Sequence, residues 1–293
     1  MRILGDTRDL INLLERDCPA TPQQFSEYLR TRNHELILTC TNIREVSGPL
    51  ARGVDFLQLR PLLQALEAMP HSYLAEVRVF PLEIQSAVDA FLGGTEYRSP
   101  SPYVPRWDHT LVTIPGQPSV MDNLVNVRLD EMIYLINRSR PDVFAPPDHR
   151  LPRLRAQLQQ DRADLRAGRA PARQHFVGAF KRHANSYGVP LPAGREDELA
   201  NWAYVDPNRC PGIRLYHEMY RSLMANYTDD PETGDFSDLA HAAATPYADA
   251  ATFDRRMRGY CHGASRKLTR LGCATNYADR VYSDLGDFMK RNP

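Results

Sequence analysis

Through its first ninety or so residues the chain alternates short apolar runs with stretches whose apolar positions recur at helical spacing, and the same rhythm returns near its end. Arg2-Ile3-Leu4 reads as a short buried strand, followed by a helix whose stripe is Leu10, Ile11, Leu13 and Leu14. Residues 21–33 read as a second helix, with Thr21 as N-cap and Pro22 at the first helical position. The run ELILT, Glu35 to Thr39, gives a second strand. It leads into a short helix capped by Thr41 or Asn42 that carries Glu45 on its first turn, and a further helix covers about Asp55 to Met69. Val77 to Phe80 reads as a third strand, with a helix from about Leu82 that stops at Gly93-Gly94.

Parallel neighbours need helical crossovers, so this order predicts an α/β fold with a central parallel sheet flanked by helices. The Pro- and Ser-rich stretch from Tyr97 to Ser119 reads as a loop or linker. From Val120 to about Ala203 the pattern is helical throughout, and the expected organisation is a core at 1–98 and 206–293 interrupted by a mostly α-helical insertion at 99–205. A helix follows Pro211, and another spans DLAHAAATPY. The strand-like ADAATF, a helix from Arg255, the strand DRVYS and a short terminal helix complete the chain.

Length and composition permit one large domain with an insertion: 293 residues, 42% apolar and a quarter charged. No run approaches the roughly 18 apolar residues a membrane helix needs, and Asp6, Arg8 and Asp9 break the N-terminal apolar stretch, making it poor signal-peptide material. The expectation is a soluble, cytoplasmic protein with no membrane partner. Cys18, Cys40, Cys210, Cys261 and Cys273 include no CxxC pair, so reduced structural thiols are expected.

The 36 basic residues balance 36 acidic ones, so any nucleic-acid signature must be local. Such segregation exists. Arginines crowd the segment 150–173, joined by Lys181 and Arg182, whereas Asp229 to Asp254 is acidic. A charge run is ordinarily a solvated helix face, but a basic arm beside an acidic site suits a polyanionic substrate.

In an open parallel sheet, ligands bind beyond the carboxyl ends of the strands, which makes acids at strand ends the informative ones. Asp6 follows the first strand, Glu45 lies on the helix after the second, and Asp254 ends AATF; Asp238 stands on the helix just before that strand. Converging carboxylates suit hard divalent cations and two-metal phosphodiester hydrolysis. Clustered without a cation they repel, so at least one should have a raised pKa. His241, three residues after Asp238, shares its helical face and is a candidate phosphate contact, although a packed structural histidine is the commoner role. Arg255 and Arg256, right after Asp254, are candidates to grip a substrate backbone.

Other chemistries lack support. His217-Glu218 has no second His for a zinc-protease motif, and neither a phosphate-binding Gly loop nor GxSxG occurs. Tyr216 and Tyr220 share a face with Leu223, a pattern that belongs to a core more often than to a base-stacking platform.

GDT at residues 5–7, the Glu of TNIREV, DLAHAAATPYADAATFD and the closing RVYSDLGDFM together resemble the PIN-domain nuclease family, over roughly residues 1–95 and 205–290. The resemblance implies a metal-dependent endoribonuclease using magnesium or manganese. Asp6, Glu45, Asp238 and Asp254 would be its four acids, with Asp235 and Asp249 as further candidates. It also implies that Asp6, Asp238 and Asp254 bind metal directly while Glu45 binds or orients a metal-bound water. Arg8 stands where the family usually has Asn or Ser, and there it either weakens polar support for the site or supplies a phosphate contact. RNA is the expected partner and DNA an alternative. The insertion is a candidate for substrate selection, for a protein partner, or for a homo-oligomer formed through the helices at 120–138. A non-catalytic RNA-binding or assembly module on the same fold is the rival reading.

Overall fold

The computed structural model describes residues 1–15, 20–107, 127–139, 144, 151–169, 171–228 and 233–293. Its centre is a sheet of order β4-β3-β2-β1-β5-β6, formed by β1 (Arg2–Leu4), β2 (Glu35–Thr39), β3 (His71–Leu74), β4 (Tyr103–Val104), β5 (Ala250–Thr252) and β6 (Val281–Tyr282). All pairings are parallel except β3 with β4. The chain builds outward from β1 through β2 and β3, then returns to add β5 and β6 on the other side. The strand order therefore reverses at β1 and β5. Such a switch point leaves a crevice beyond the carboxyl ends of the two strands, the usual ligand position in open α/β sheets.

Alternation along each strand sends neighbouring side chains to opposite faces. Leu4, Ile37, Leu74, Ala251 and Val281 belong to one core, while Ile3, Leu36, Leu38, Ala250 and Tyr282 belong to the other. Both faces are covered, as the near-continuous apolar strands require. The second face is closed by α1 (Thr7–Leu14), α2 (Pro22–Thr31), α3 (Cys40–Val46), α4 (Gly48–Ala51), α5 (Phe56–Ala68) and α14 (Leu285–Arg291), whose buried residues join that cluster. The expected capping of α2 is present: Thr21 accepts from the Gln24 N–H while the Gln24 side chain accepts from the Thr21 N–H. In α3 the cap is Thr39, earlier than expected, paired reciprocally with Asn42; this places Glu45 in the last turn rather than the first.

The third strand also differs from expectation. Val77 to Phe80 is a 3₁₀ turn (Glu76–Arg78) entering α6 (Val79–Gly93), and the strand lies earlier, at His71–Leu74. Pro81 is accommodated in the first turn of α6, where a missing N–H costs no intrahelical bond. Strand β3 is only half-buried over its first residues, so it lacks the continuous apolar run that marks its neighbours. The short β4 arises inside the stretch expected to be loop.

The insertion's described helices are α7 (Leu129–Ser139), α8 (Leu151–Arg166), α9 (Ala172–Ser186) and α10 (Glu196–Val205); those expected over 120–126 lie outside the described residues. Leu129, Met132, Ile133 and Ile136 of α7 pack into the core with Leu59, Leu63 and Leu66 of α5. These four residues of the stretch read as a possible oligomer interface are thus committed within the chain, while Tyr134 and Leu135 are exposed. Helices α8 to α10 bury Leu158, Phe176, Phe180, Leu199 and Ala203 in the same cluster as α6, α11 (Pro211–Ala225), α12 (Thr233–Ala242) and α13 (Arg255–Arg270). Cys40, Cys210, Cys261 and Cys273 are free thiols, and Cys18 lies outside the described residues. Among the described residues no helix is long and apolar enough to cross a membrane.

Glu83 of α6 fastens α11 to this layer. Its carboxylate accepts the Gly212 N–H at 2.7 Å, the Ile213 N–H at 2.9 Å and the Tyr247 hydroxyl at 2.6 Å. A carboxylate from another helix thereby satisfies the orphan donors at the start of α11, where Cys210 offers no side-chain cap. Gly212 is required there, because a Cβ would stand 2.6 Å from the Ala243 carbonyl oxygen and 2.7 Å from Val79 Cγ1.

Candidate active site

Asp6 and Asp254 end neighbouring strands at the switch point and each caps the helix that follows. Asp6 accepts the Arg8 N–H at 2.9 Å as cap of α1, and Asp254 accepts the Met257 N–H at 2.7 Å as cap of α13. Capping fixes both carboxylates but leaves acceptor capacity on each. Thr252, the last residue of β5, ties the two strand ends together: its buried hydroxyl accepts the Asp6 N–H at 2.8 Å.

Asp238 on α12 completes this edge. Its pKa rises from an ordinary 3.8 to about 7, first through burial and then through repulsion from Asp6, Glu45 and Asp254, with His241 opposing. Mutual influence of this kind places the carboxylates from β1, α3, α12 and β5 in one electrostatic neighbourhood. Glu45 is also pushed up, by burial most of all, while the Thr7 side chain, His241 and Arg44 pull it down. Asp9, which the sequence reading passed over, belongs with them. It is buried, lies one helical turn from Asp6, and has a pKa raised to about 6 by burial, against the pull of Thr252 and Arg8 and with repulsion from Asp6. Its Oδ2 is buried without a hydrogen-bond partner.

Arg8 is the cation of this cleft. It reaches Asp9 Oδ1 at 3.2 Å and the Ser283 carbonyl at 3.5 Å, and although burial opposes its charge, Asp9, Asp6 and Asp254 raise its pKa. Half of its side chain stays exposed.

Behind the carboxylates lies a buried polar layer. Asn42 donates to the Gly5 carbonyl and the Thr7 hydroxyl, both at 3.0 Å, clamping α3 to the turn that carries Asp6. His241 pairs with Glu76 at 2.9 Å, and the Thr41 backbone and hydroxyl both donate to Glu76. Burial penalises both charges, but the contacts outweigh it: Glu76 falls below its ordinary value and the His241 imidazolium rises above its own, assisted by Asp6 and Asp238. His241 is thus a buried positive charge behind Asp238. That burial fits the packed structural role rather than the candidate phosphate contact that its spacing also offered. Glu76 gave no signal in sequence because it lies in the turn misread as a strand.

Other candidates are placed elsewhere. Asp249 exchanges hydrogen bonds with the Arg2 backbone at the opposite, amino end of β1 and β5, so it cannot join the carboxylates. Asp235 is buried against Arg256 in an ion pair, which occupies both the extra acid and one of the two candidate substrate-gripping arginines. Arg255 is exposed at the start of α13. Within the Arg-rich helix α8, Arg162 is buried and donates to the Leu223 and Asn226 carbonyls at the end of α11, and Arg166 stacks on Tyr227. Part of that basic run is therefore structural.

The donor chemistry, oxygen only and anionic, suits a hard divalent cation rather than a soft one. The carboxylates do not form a closed cage: among the described residues, no group of three or more His, Cys, Asp or Glu side chains is disposed to hold a metal ion. The chain matches no known family model, no curated protein and no solved structure.

Proposed function

We propose that the chain is a metal-dependent nuclease on a PIN-like core, hydrolysing RNA at the crevice between β1 and β5. The observation that carries this reading is the lifted pKa of Asp238, caused after burial by Asp6, Glu45 and Asp254 arriving from separate elements. Repulsion among carboxylates at a topological switch point, only partly offset by His241 and Arg8, is costly to maintain, and a divalent cation relieves it. Magnesium or manganese bound there would acidify a water and neutralise phosphate charge. Asp6, Asp238 and Asp254 are the residues to hold the ion. Glu45, on the adjoining helix, is the residue to orient the attacking water and take its proton. Arg8, half exposed beside Asp6 and Asp254, is suited to a phosphate oxygen of the same strand.

The test is cleavage of labelled single-stranded RNA and DNA with magnesium, manganese or EDTA, for the native chain and for Asp6→Asn and Asp254→Asn. Metal-dependent RNA cleavage lost in folded variants is the expected result, and preferential cleavage of DNA would reassign the substrate. A second reading, a non-catalytic RNA-binding module, is favoured by Arg8 standing among the acids. No cleavage combined with no manganese binding would select it.

A further inference from the structure

Helices α8, α9, α11 and α12 line a partly open cavity of about 150 Å³. One wall is aromatic. Tyr216 and Tyr220 lie parallel within 4°, and Tyr220 and His175 within 7°, with successive ring centroids about 6 Å apart, so the three rings share one orientation. Leu154, Phe176, Ala179, Ile213 and Phe236 are among its apolar lining. A volume of this size accommodates one six-membered ring; a comparable apolar cavity takes up benzene.

The wall also carries specific polar groups. Asp161 accepts from Tyr220 Oη at 2.7 Å and Gln157 Nε2 at 2.8 Å, and a carboxylate so bonded retains free lone pairs. Burial raises its pKa, but His175, Tyr220 and Gln157 outweigh that and keep it anionic. His175 Nδ1 lies 3.0 Å from His217 Nε2, whereas its Nε2 is buried without a hydrogen-bond partner, 3.8 Å from Asp161 Oδ2. The His175 side chain is nine-tenths buried, and its Nε2 faces the Asp161 carboxylate. The lining also includes the exposed Arg182, which among the described residues makes no ion pair.

We propose that this cavity is a pyrimidine nucleotide site: the base enters against the Tyr216–Tyr220–His175 wall, its N–H group donates to Asp161, and its phosphate meets Arg182. Each element selects one feature of that ligand. The aromatic lining favours an aromatic ligand, the single-ring volume favours a pyrimidine over a purine, the anionic Asp161 demands an N–H donor, and the arginine demands an anion. Both cytosine, through its amino group, and uracil, through its ring N–H, meet the requirement at Asp161. The same chemistry is offered by a free mononucleotide and by a base of an RNA strand.

The experiment is a calorimetric titration in EDTA, which keeps cations out of the acidic cleft, using CMP, UMP, AMP and ribose 5-phosphate against the native chain. Variants are Ala179→Leu, which fills the cavity, Asp161→Asn and the exposed Arg182→Gln, each verified as folded by thermal melting. CMP or UMP should bind in preference to AMP and ribose 5-phosphate, weakened at least about tenfold in Ala179→Leu and Asp161→Asn. Arg182→Gln should weaken the nucleotide but not the corresponding nucleoside. Competition by a short oligopyrimidine RNA identifies a strand as the source, and its absence identifies a free nucleotide. No binding of CMP or UMP, or binding undiminished by Ala179→Leu, overturns the site and leaves the nuclease reading untouched, since no cleavage is measured.

Discussion

Asp238→Asn should make the metal-free protein more stable, which is unusual for removing a charge from a folded structure. The native carboxyl is raised from 3.8 to about 7 by burial and by Asp6, Glu45 and Asp254. A raised acid contributes its stability fully below the unfolded value and loses it as pH climbs through the folded one, because the unfolded chain releases its proton first. Each tenfold difference in proton affinity is worth about 1.4 kcal/mol, so the native chain forfeits at most about 4 kcal/mol here by pH 8. Asp238 is partly exposed, and solvent screening reduces the expectation to about 2 kcal/mol. Asn, similar in shape and always neutral, escapes that loss. In EDTA the variant should therefore match the native chain near pH 4, pull ahead through pH 7, and lead by about 2 kcal/mol at pH 8 in urea denaturation. Saturating manganese should narrow or reverse the gap, because an ion bound only to the native fold adds about 2.7 kcal/mol at a hundred times its Kd. A variant less stable than native at pH 8 in EDTA, or a gap that does not change with pH, would refute the repulsion argument.

The remaining expectations concern the frame. Gly212→Ala should cost about 3 kcal/mol in urea denaturation, because its Cβ would meet the Ala243 carbonyl at 2.6 Å; a loss below about 1 kcal/mol would contradict the close approach. Glu83→Ala should cost about 3–5 kcal/mol by stranding the Gly212 and Ile213 N–H groups and the Tyr247 hydroxyl, with a fall in hydrogen-exchange protection concentrated at the start of α11. Replacing either partner of the buried Glu76–His241 pair, as Glu76→Gln or His241→Asn, should cost about 3–5 kcal/mol. The double variant should cost less than the sum of the two, and additivity in that double-mutant cycle would show that the pair is not coupled.

The sequence was legible where local chemistry and topology coincide. Asp6 and Asp254 announce themselves because a strand end, a helix cap and a carboxylate fall on one residue. The apolar runs of β1 and β2 are equally plain, since both faces of those strands are buried. Legibility failed where a segment's role depends on a distant partner. Strand β3 is half-buried and near the sheet edge, so it carries no apolar run, and the β-branched Val77 and Val79 suggested a strand where the chain turns into α6. Glu76 is meaningful only against His241, 165 residues away, and Asp249 only against the Arg2 backbone at the wrong end of the sheet. Tyr216 and Tyr220 read as core, and Tyr220 is buried while Tyr216 packs half-buried against the same cluster; what the helical stripe could not reveal is the cavity that α8 and α9 leave against them.

The electrostatic layout argues that the carboxylates and the basic segments have divided duties. With equal numbers of acidic and basic residues, the chain has no net attraction for a polyanion, so any attraction must come from segregation. The nearby cations are largely committed: Arg256 to Asp235, His241 to Glu76, and Arg8 partly to Asp9. On the proposed reading, the carboxylates keep net negative charge and oppose a phosphate until a divalent cation binds. Arg153 and Arg182, exposed on α8 and α9, carry charge of the opposite sign. On the proposed nuclease reading, a strand attracted there reaches the carboxylates only after a metal ion has offset their charge, so that cation binding precedes strand binding at the carboxylates. Strand affinity measured at fixed ionic strength should accordingly rise when manganese is added, and the rise should disappear in Asp254→Asn while the metal-free affinity stays the same.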